Sequence, residues 1–177
     1  SDASWKSGPG LLGLENSALP DPGIKTEINK GSQLCYYFRK QFTYNGDPSE
    51  VTLTIDQIVD DGAVYYLNGT EVGRSRMPGG AVRFTTSSSA TVTNAAEEKG
   101  VVTIGPGTLK NGSNILAVEV HQTNTTSSDI VFGCRMSASV PAAKGVVINE
   151  IHPIAGKDAY IEFYNPTDKV IDLRDYY

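Results

Sequence analysis

About eight short strand-like segments separated by regular turn chemistry, with strict period-2 alternation in the clearest of them, predict an all-β chain. No amphipathic helix of useful length interrupts them. Their number and spacing favour an antiparallel jelly-roll β-sandwich over residues 1–140. The sequence changes character near Gly145, which adds a linker at 141–145 and a partial second unit at 146–177. A chain of 177 residues suits one ordinary domain, or one domain with a piece of another, and buries a core without disulfide staples.

Residues 5–32 are rich in Gly, Pro and Asn and read as an irregular lead-in, anchored by Trp5, Leu11, Leu12 and Leu14. Leu34 to Tyr44, dense in aromatic residues, reads as the first long strand. After a turn at Asn45-Gly46-Asp47-Pro48, Val51, Leu53 and Ile55 alternate with Thr52, Thr54 and Asp56, as in a half-buried strand. Asp60-Asp61-Gly62 closes it. Ala63 to Leu67 and Thr70 to Ser75 flank Asn68-Gly69, where a type I′ hairpin turn needs positive φ at both residues. Val82 to Thr86 reads as strand, and 87–100 as a polar loop with one short helical turn at Asn94 to Lys99. Val101 to Ile104 follows as a short strand. Asn111-Gly112 to Asn114 turns the chain into Ile115 to His121, whose inward face is expected from Ile115, Ala117 and either Val118 or Val120. Asp129 to Ala138 is the last strand of the first unit.

Composition narrows the function classes. Hydrophobic residues at 39% and charged residues at 20% are globular proportions. A net charge of -5 speaks against nucleic acid, which requires a concentrated basic face, and against anchoring on an anionic membrane. The apolar runs are strand-length, so no membrane partner is expected. Two cysteines cannot build a multi-cysteine zinc cluster, and their spacing leaves a disulfide and two free thiols equally open. No facing pair of carboxylates for glycoside hydrolysis announces itself, and no Gly-x-Ser-x-Gly, His-Glu-x-x-His or phosphate-cradling loop is present. The expectation is a non-catalytic chain.

Three stretches taken together resemble the galactose-binding-like β-sandwich modules attached to large secreted bacterial proteins. They are Asp60 to Val72 (DDGAVYYLNGTEV), Leu109 to Val120 around Asn111-Gly112-Ser113-Asn114, and Ser127 to Phe132. From Gly145 onward, Ile148-Asn149-Glu150-Ile151, Tyr160 to Pro166 (YIEFYNP) and Val170-Ile171-Asp172-Leu173 resemble the opening of a lamin-tail domain, an immunoglobulin-like sandwich. The resemblance implies a secreted or cell-surface accessory module, cut from a longer polypeptide, that binds polysaccharide or glycan through rim loops and contacts other domains of its parent. The alternative is a structural or adhesion spacer that binds no sugar. In modules of this kind the strands carrying Cys35 and Cys134 commonly run side by side, which implies a disulfide between them.

Candidate residues follow from chemistry. Asp60 and Asp61, at a strand end, suit a structural calcium ion, with Glu97, Glu98 or Asp129 as a further oxygen; the plainer reading is an Asp turn. His121, Gln122, Asn124 and Asp129 surround the loop after the core strand and carry groups that pair with sugar hydroxyls; alternatively they order that loop. Arg74 and Arg76 suit an acidic saccharide or plain solvent. Of the doublets Tyr36-Tyr37 and Tyr65-Tyr66, one ring each must face outward, free to stack on a sugar or to pack under a loop. Asn68, Asn111 and Asn124 sit in N-glycosylation patterns, without meaning in a bacterial protein.

Overall fold

The computed structural model describes residues 4–15, 17–140, 145–152, 160–166 and 170–175. The chain divides into two compact units, Ser1–Val140 and Pro141–Tyr177; four of the five residues expected as linker, 141–144, lie outside the described residues. The described residues are all-β apart from one 3₁₀ turn at Leu173–Asp175, and none of their helices is long and apolar enough to cross a membrane.

The first unit contains β1 (Leu12–Leu14), β2 (Thr26–Glu27), β3 (Cys35–Tyr44), β4 (Thr52–Asp60), β5 (Gly62–Leu67), β6 (Thr70–Ser75), β7 (Glu98–Ile104), β8 (Gly112–His121) and β9 (Ile130–Ser139). They form a five-stranded sheet, β2-β1-β9-β4-β7, and a four-stranded sheet, β3-β8-β5-β6. Every pairing is antiparallel except β1 with β2. Alternation buries Leu53, Ile55 and Val59 from β4 against Tyr65 and Leu67 from β5 and Leu116, Val118 and Val120 from β8. Phe38 of one sheet stacks on Phe132 of the other with ring centroids 4.4 Å apart. Two antiparallel sheets sharing one core are compatible with a β-sandwich.

Several expectations need correction. The inward face of β8 is Leu116, Val118 and Val120, while Ile115, Ala117 and Glu119 are half-buried on the other side. Ile115 to Val118 is apolar on both faces, so that stretch by itself does not choose between them. Val82 to Thr86 forms no strand: Thr86 donates its backbone N–H to Arg83 O at 2.8 Å and closes a turn. No helical turn occurs over 94–99, because β7 already begins at Glu98. The lead-in is not wholly irregular, since it supplies β1, which pairs with β9. Leu11 is buried, but Trp5 is 49% exposed and anchors nothing in the core.

The Asn68-Gly69 turn has the expected positive φ at both residues, 54° and 84°. Asn68 also bonds outward. Its Nδ2 donates to Thr108 O and Asn114 Oδ1, and its Oδ1 accepts the Ile115 N–H at 3.0 Å. Buried Asn114 accepts from Asn68 and from the Lys110 N–H, and donates to Lys110 O and Gly112 O. All four of its hydrogen-bonding positions are filled. The two asparagines thereby fasten the start of β8 to the β5–β6 turn.

In the second unit, β10 (Val147–His152) pairs antiparallel with β11 (Tyr160–Tyr164), with an irregularity between Ile148 and Glu150. Ile148, Ile151, Ile161 and Phe163 are exposed. A two-stranded ladder is marginal by itself.

Replacing Asn114 by Ala strands several buried partners at once. An Asn114→Ala chain is expected to lose about 3 kcal/mol, the upper end for an unsatisfied buried polar group. Urea denaturation measures it, and a loss below about 0.5 kcal/mol would show that water replaces the clamp.

Candidate functional site

Sheet order brings carboxylates together at one end of the five-stranded sheet. Strand β9 lies between β1 and β4, with Leu14 opposite Ile130 and Asp60 opposite Val131. The residues flanking these positions, Glu15, Asp129 and Asp60, therefore converge, and one carboxylate oxygen from each lies within 4.8 Å of the others. Asp60 is 1% exposed, and neither of its carboxylate oxygens has a hydrogen-bond partner. Glu15 Oε2 is likewise buried and unpartnered, while its Oε1 accepts the Ser17 N–H. Asp129 accepts from Ser127 Oγ at 2.8 Å. Burial, then the neighbouring carboxylates of Asp61 and Asp129, push the Asp60 carboxyl up to about 8. Three converging oxygen donors with no other side chain donating between them form a set suited to a hard cation once Asp60 is ionised. Of the residues expected at such a site Asp60 and Asp129 belong to it, and Glu15 was missed. Nothing local marks Glu15; only the pairing of β1 with β9 brings it there.

Asp61 is not part of this set. Its Oδ1 accepts the Val92 N–H at 2.7 Å, and its Oδ2 accepts the Thr123 N–H at 2.8 Å and the Thr123 hydroxyl at 3.1 Å. A carboxylate so engaged clamps two loops onto the end of β4. Glu98 is engaged by Arg76 and Gln57. Arg76 itself is a structural hub: it donates to the backbone carbonyls of Val59 and Asp61 as well as to Glu98. Gln57 accepts from the hydroxyl of fully buried Tyr65, so that ring carries no unpaired polar atom.

The rim residues expected to meet a sugar are largely sealed. Asp60, Asp61, His121 and Gln122 are each at most 1% exposed. Gln122 donates to Asp60 O through Nε2 at 3.2 Å, and its backbone bonds Leu34 O and the Ser88 N–H. Nδ1 of His121 lies 2.8 Å from Thr86 O. These groups order the surrounding loops, the plainer of the two readings. Asn124 remains exposed, but its Oδ1 accepts from the backbone and hydroxyl of Thr126. Arg74 is drawn into a two-point pair with Glu71 and also donates to Pro78 O.

The outward face of the four-stranded sheet is more open. Tyr36 and Tyr65 point into the core, whereas Tyr37 is 47% exposed and Tyr66 half-buried. Register aligns Tyr37 with Glu119 and Val64, and Arg39 with Ala117 and Tyr66 in the next row. The two outward rings thus flank β8 on either side, about 12 Å apart across two strand spacings and one two-residue step.

The expected disulfide is absent. Both cysteines are free, Cys35 buried and Cys134 exposed. They lie in different sheets, and Cys35 shares the outward face of its sheet with Tyr37. Facing sheets stand about 10 Å apart, beyond the roughly 7 Å that a disulfide spans between Cα atoms. Cys134 lines a shallow groove of about 480 Å³ between Pro20–Pro22 and the strand residues Asp56 and Arg135.

Comparison with protein-family models, with curated proteins and with solved structures found no match.

In the metal-free chain the folded state holds a proton on Asp60 that the unfolded chain releases in the ordinary carboxylate range. Folding stability is therefore expected to be full below about pH 4 as far as this group is concerned, and to fall as pH rises towards about 8. Asp60→Asn, which removes the titrating group, should flatten that fall. It should also raise Tm in chelator at pH 8 by about 5 °C. Parallel pH profiles for the two chains would contradict it.

Proposed function

We propose that this chain is a non-catalytic carbohydrate-binding accessory module whose ligand surface is the outward face of the four-stranded sheet around Tyr37 and Tyr66. The observation that carries the reading is the pair of outward tyrosines on the two strands flanking Glu119. Aromatic faces stack on the apolar side of a sugar ring, and the charged and amide side chains beside them suit its hydroxyls. Gln41, exposed on the same face, already bonds Ser113 Oγ at 2.9 Å and extends the polar strip along β3 and β8. The finer parts of the reading belong here too: a jelly-roll of the galactose-binding-like kind, followed by the first strands of a lamin-tail domain, in a secreted or cell-surface protein. Fold-level analogy supplies those parts.

The same reading includes a structural calcium ion held by Glu15, Asp60 and Asp129. The unpartnered oxygens of Asp60 and Glu15 favour it, since a buried carboxylate without a donor is costly unless a cation faces it. Its role would be to staple the lead-in to the ends of β4 and β9. A second reading, a spacer module that binds no sugar, is favoured by the burial of Asp60, Asp61, His121 and Gln122.

Affinity electrophoresis through polysaccharide gels, with a glycan array beside it, separates the two. Tyr37→Ala and Tyr66→Ala should each weaken retardation about fivefold, the loss of one stacking contact of about 1 kcal/mol. Retardation by no polysaccharide, with an empty array, would leave the spacer reading standing.

Calcium should raise the Tm of the unaltered chain and leave that of Asp60→Asn unmoved. An equal response in both chains removes the ion from this site.

A further inference from the structure

The sealed outer end of the four-stranded sheet holds a second cluster of ligand-type side chains. Cys35 pairs with His121 across β3 and β8, and Glu119 stands two residues before His121 on the same face. Cys35 Sγ lies 3.5 Å from His121 Nε2, and Glu119 Oε2 lies 3.2 Å from that same nitrogen. One ligand atom from each of the three residues falls within 4.8 Å of the others.

The histidine is oriented from behind. The carbonyl of Thr86 only accepts hydrogen bonds, so Nδ1 at 2.8 Å must carry the proton it receives. In a neutral imidazole this leaves the lone pair on Nε2, directed at a sulfur and at a carboxylate oxygen. Nε2 therefore faces the Glu119 carboxylate either as a second N–H donor, in the imidazolium, or through a metal ion held between them. A backbone carbonyl behind Nδ1 is also the arrangement that fixes a metal-binding imidazole.

The distances, which a hydrogen-bonded cluster also shows, are compatible with a small ion. With metal–sulfur bonds of about 2.3 Å and metal–nitrogen or metal–oxygen bonds of about 2.0–2.2 Å, tetrahedral ligand atoms stand about 3.3–3.6 Å apart. The Cys35–His121 separation of 3.5 Å falls in that range, and the Glu119–His121 separation of 3.2 Å lies just below it.

We propose that Cys35 Sγ, His121 Nε2 and the Glu119 carboxylate bind one divalent transition-metal ion of the zinc class. One thiolate, one imidazole and one carboxylate form a borderline donor set, unlike the all-oxygen set at Glu15, Asp60 and Asp129. On binding, the Cys35 S–H bond breaks, sulfur gives its electron pair to the metal, and the proton leaves to solvent. Three protein donors leave a fourth position for water, on the side where Glu119 retains 23% exposure. This site does not depend on the carbohydrate reading.

The test is titration of the chelator-stripped protein with zinc(II) by calorimetry, and with cobalt(II) followed by absorption. One equivalent of either metal is expected, with a cobalt–thiolate charge-transfer band. Cys35→Ser should abolish that band, and Glu119→Gln should weaken binding about tenfold or more. Cys134→Ser and Asp60→Asn should change neither. Should Cys35→Ser fail to fold, Glu119→Gln decides, because its side chain is partly exposed and its replacement isosteric. Absence of a thiolate band in the folded, unaltered chain overturns the proposal. So does a band that vanishes in Cys134→Ser, or zinc affinity unchanged in Glu119→Gln.

Discussion

The register of β8 is the constraint on which the rest of the first unit depends. This strand sits between β3 and β5, so its alternation decides which residues of three strands face the core. A slip of one residue would turn Leu116, Val118 and Val120 outward and bury Glu119. Hydrophobicity alone does not forbid the slip strongly, because Ile115 and Ala117 are also apolar. Asn114 and Asn68 supply the missing discrimination. Their bonds to one another, to Lys110, Gly112 and Thr108, and to the Ile115 N–H hold only when β8 begins where it does. Polar groups that are expensive to leave unpaired make the register specific.

The outward face and the side-chain clusters inherit that register. Tyr37, Glu119 and Tyr66 share the outward face because Tyr36, Val120 and Tyr65 take the inward positions. Cys35, Glu119 and His121 meet for the same reason, capped by the turn around Thr86. At the neighbouring end of the unit, Asp61 performs a comparable service for loops. By accepting from Val92 and Thr123 it ties chain segments distant in sequence to the end of β4. Asp60 is then carried inward without a donor of its own, so one structural clamp creates the unsatisfied carboxylate beside it.

The elements easiest to read from the sequence were those governed by local physics. Val51, Leu53 and Ile55 alternate and are buried accordingly. Asn68-Gly69 announces its turn because few residue pairs accept positive φ twice. Other features depend on tertiary partners and left no local mark. The lead-in contributes β1 only because β9 offers it an edge, and this pairing brings Glu15 to Asp60. The polar residues Asp61, His121 and Gln122 sit at or just past strand ends, where a sequence suggests accessible loops; here other segments cover them and satisfy most of their polar atoms. The tyrosine doublets state that one ring must face outward, but the register alone says which.

The two clusters of ligand-type side chains differ in a way that follows from where they lie. The end of the five-stranded sheet gathers residues flanking β1, β4 and β9, and all three contribute carboxylates. Such a set has no soft donor and matches ions that accept many oxygens in irregular geometry. The outward face of the four-stranded sheet instead places sulfur, nitrogen and oxygen on adjoining rungs of one ladder, where strand spacing restricts their separation. A regular ladder offers few donors at fixed short distances, which suits a small tetrahedral ion and disfavours a large one. Donor hardness and backbone regularity therefore act in the same direction at each site. A single chain can present two different donor sets because its strand ends and its strand faces gather different side chains.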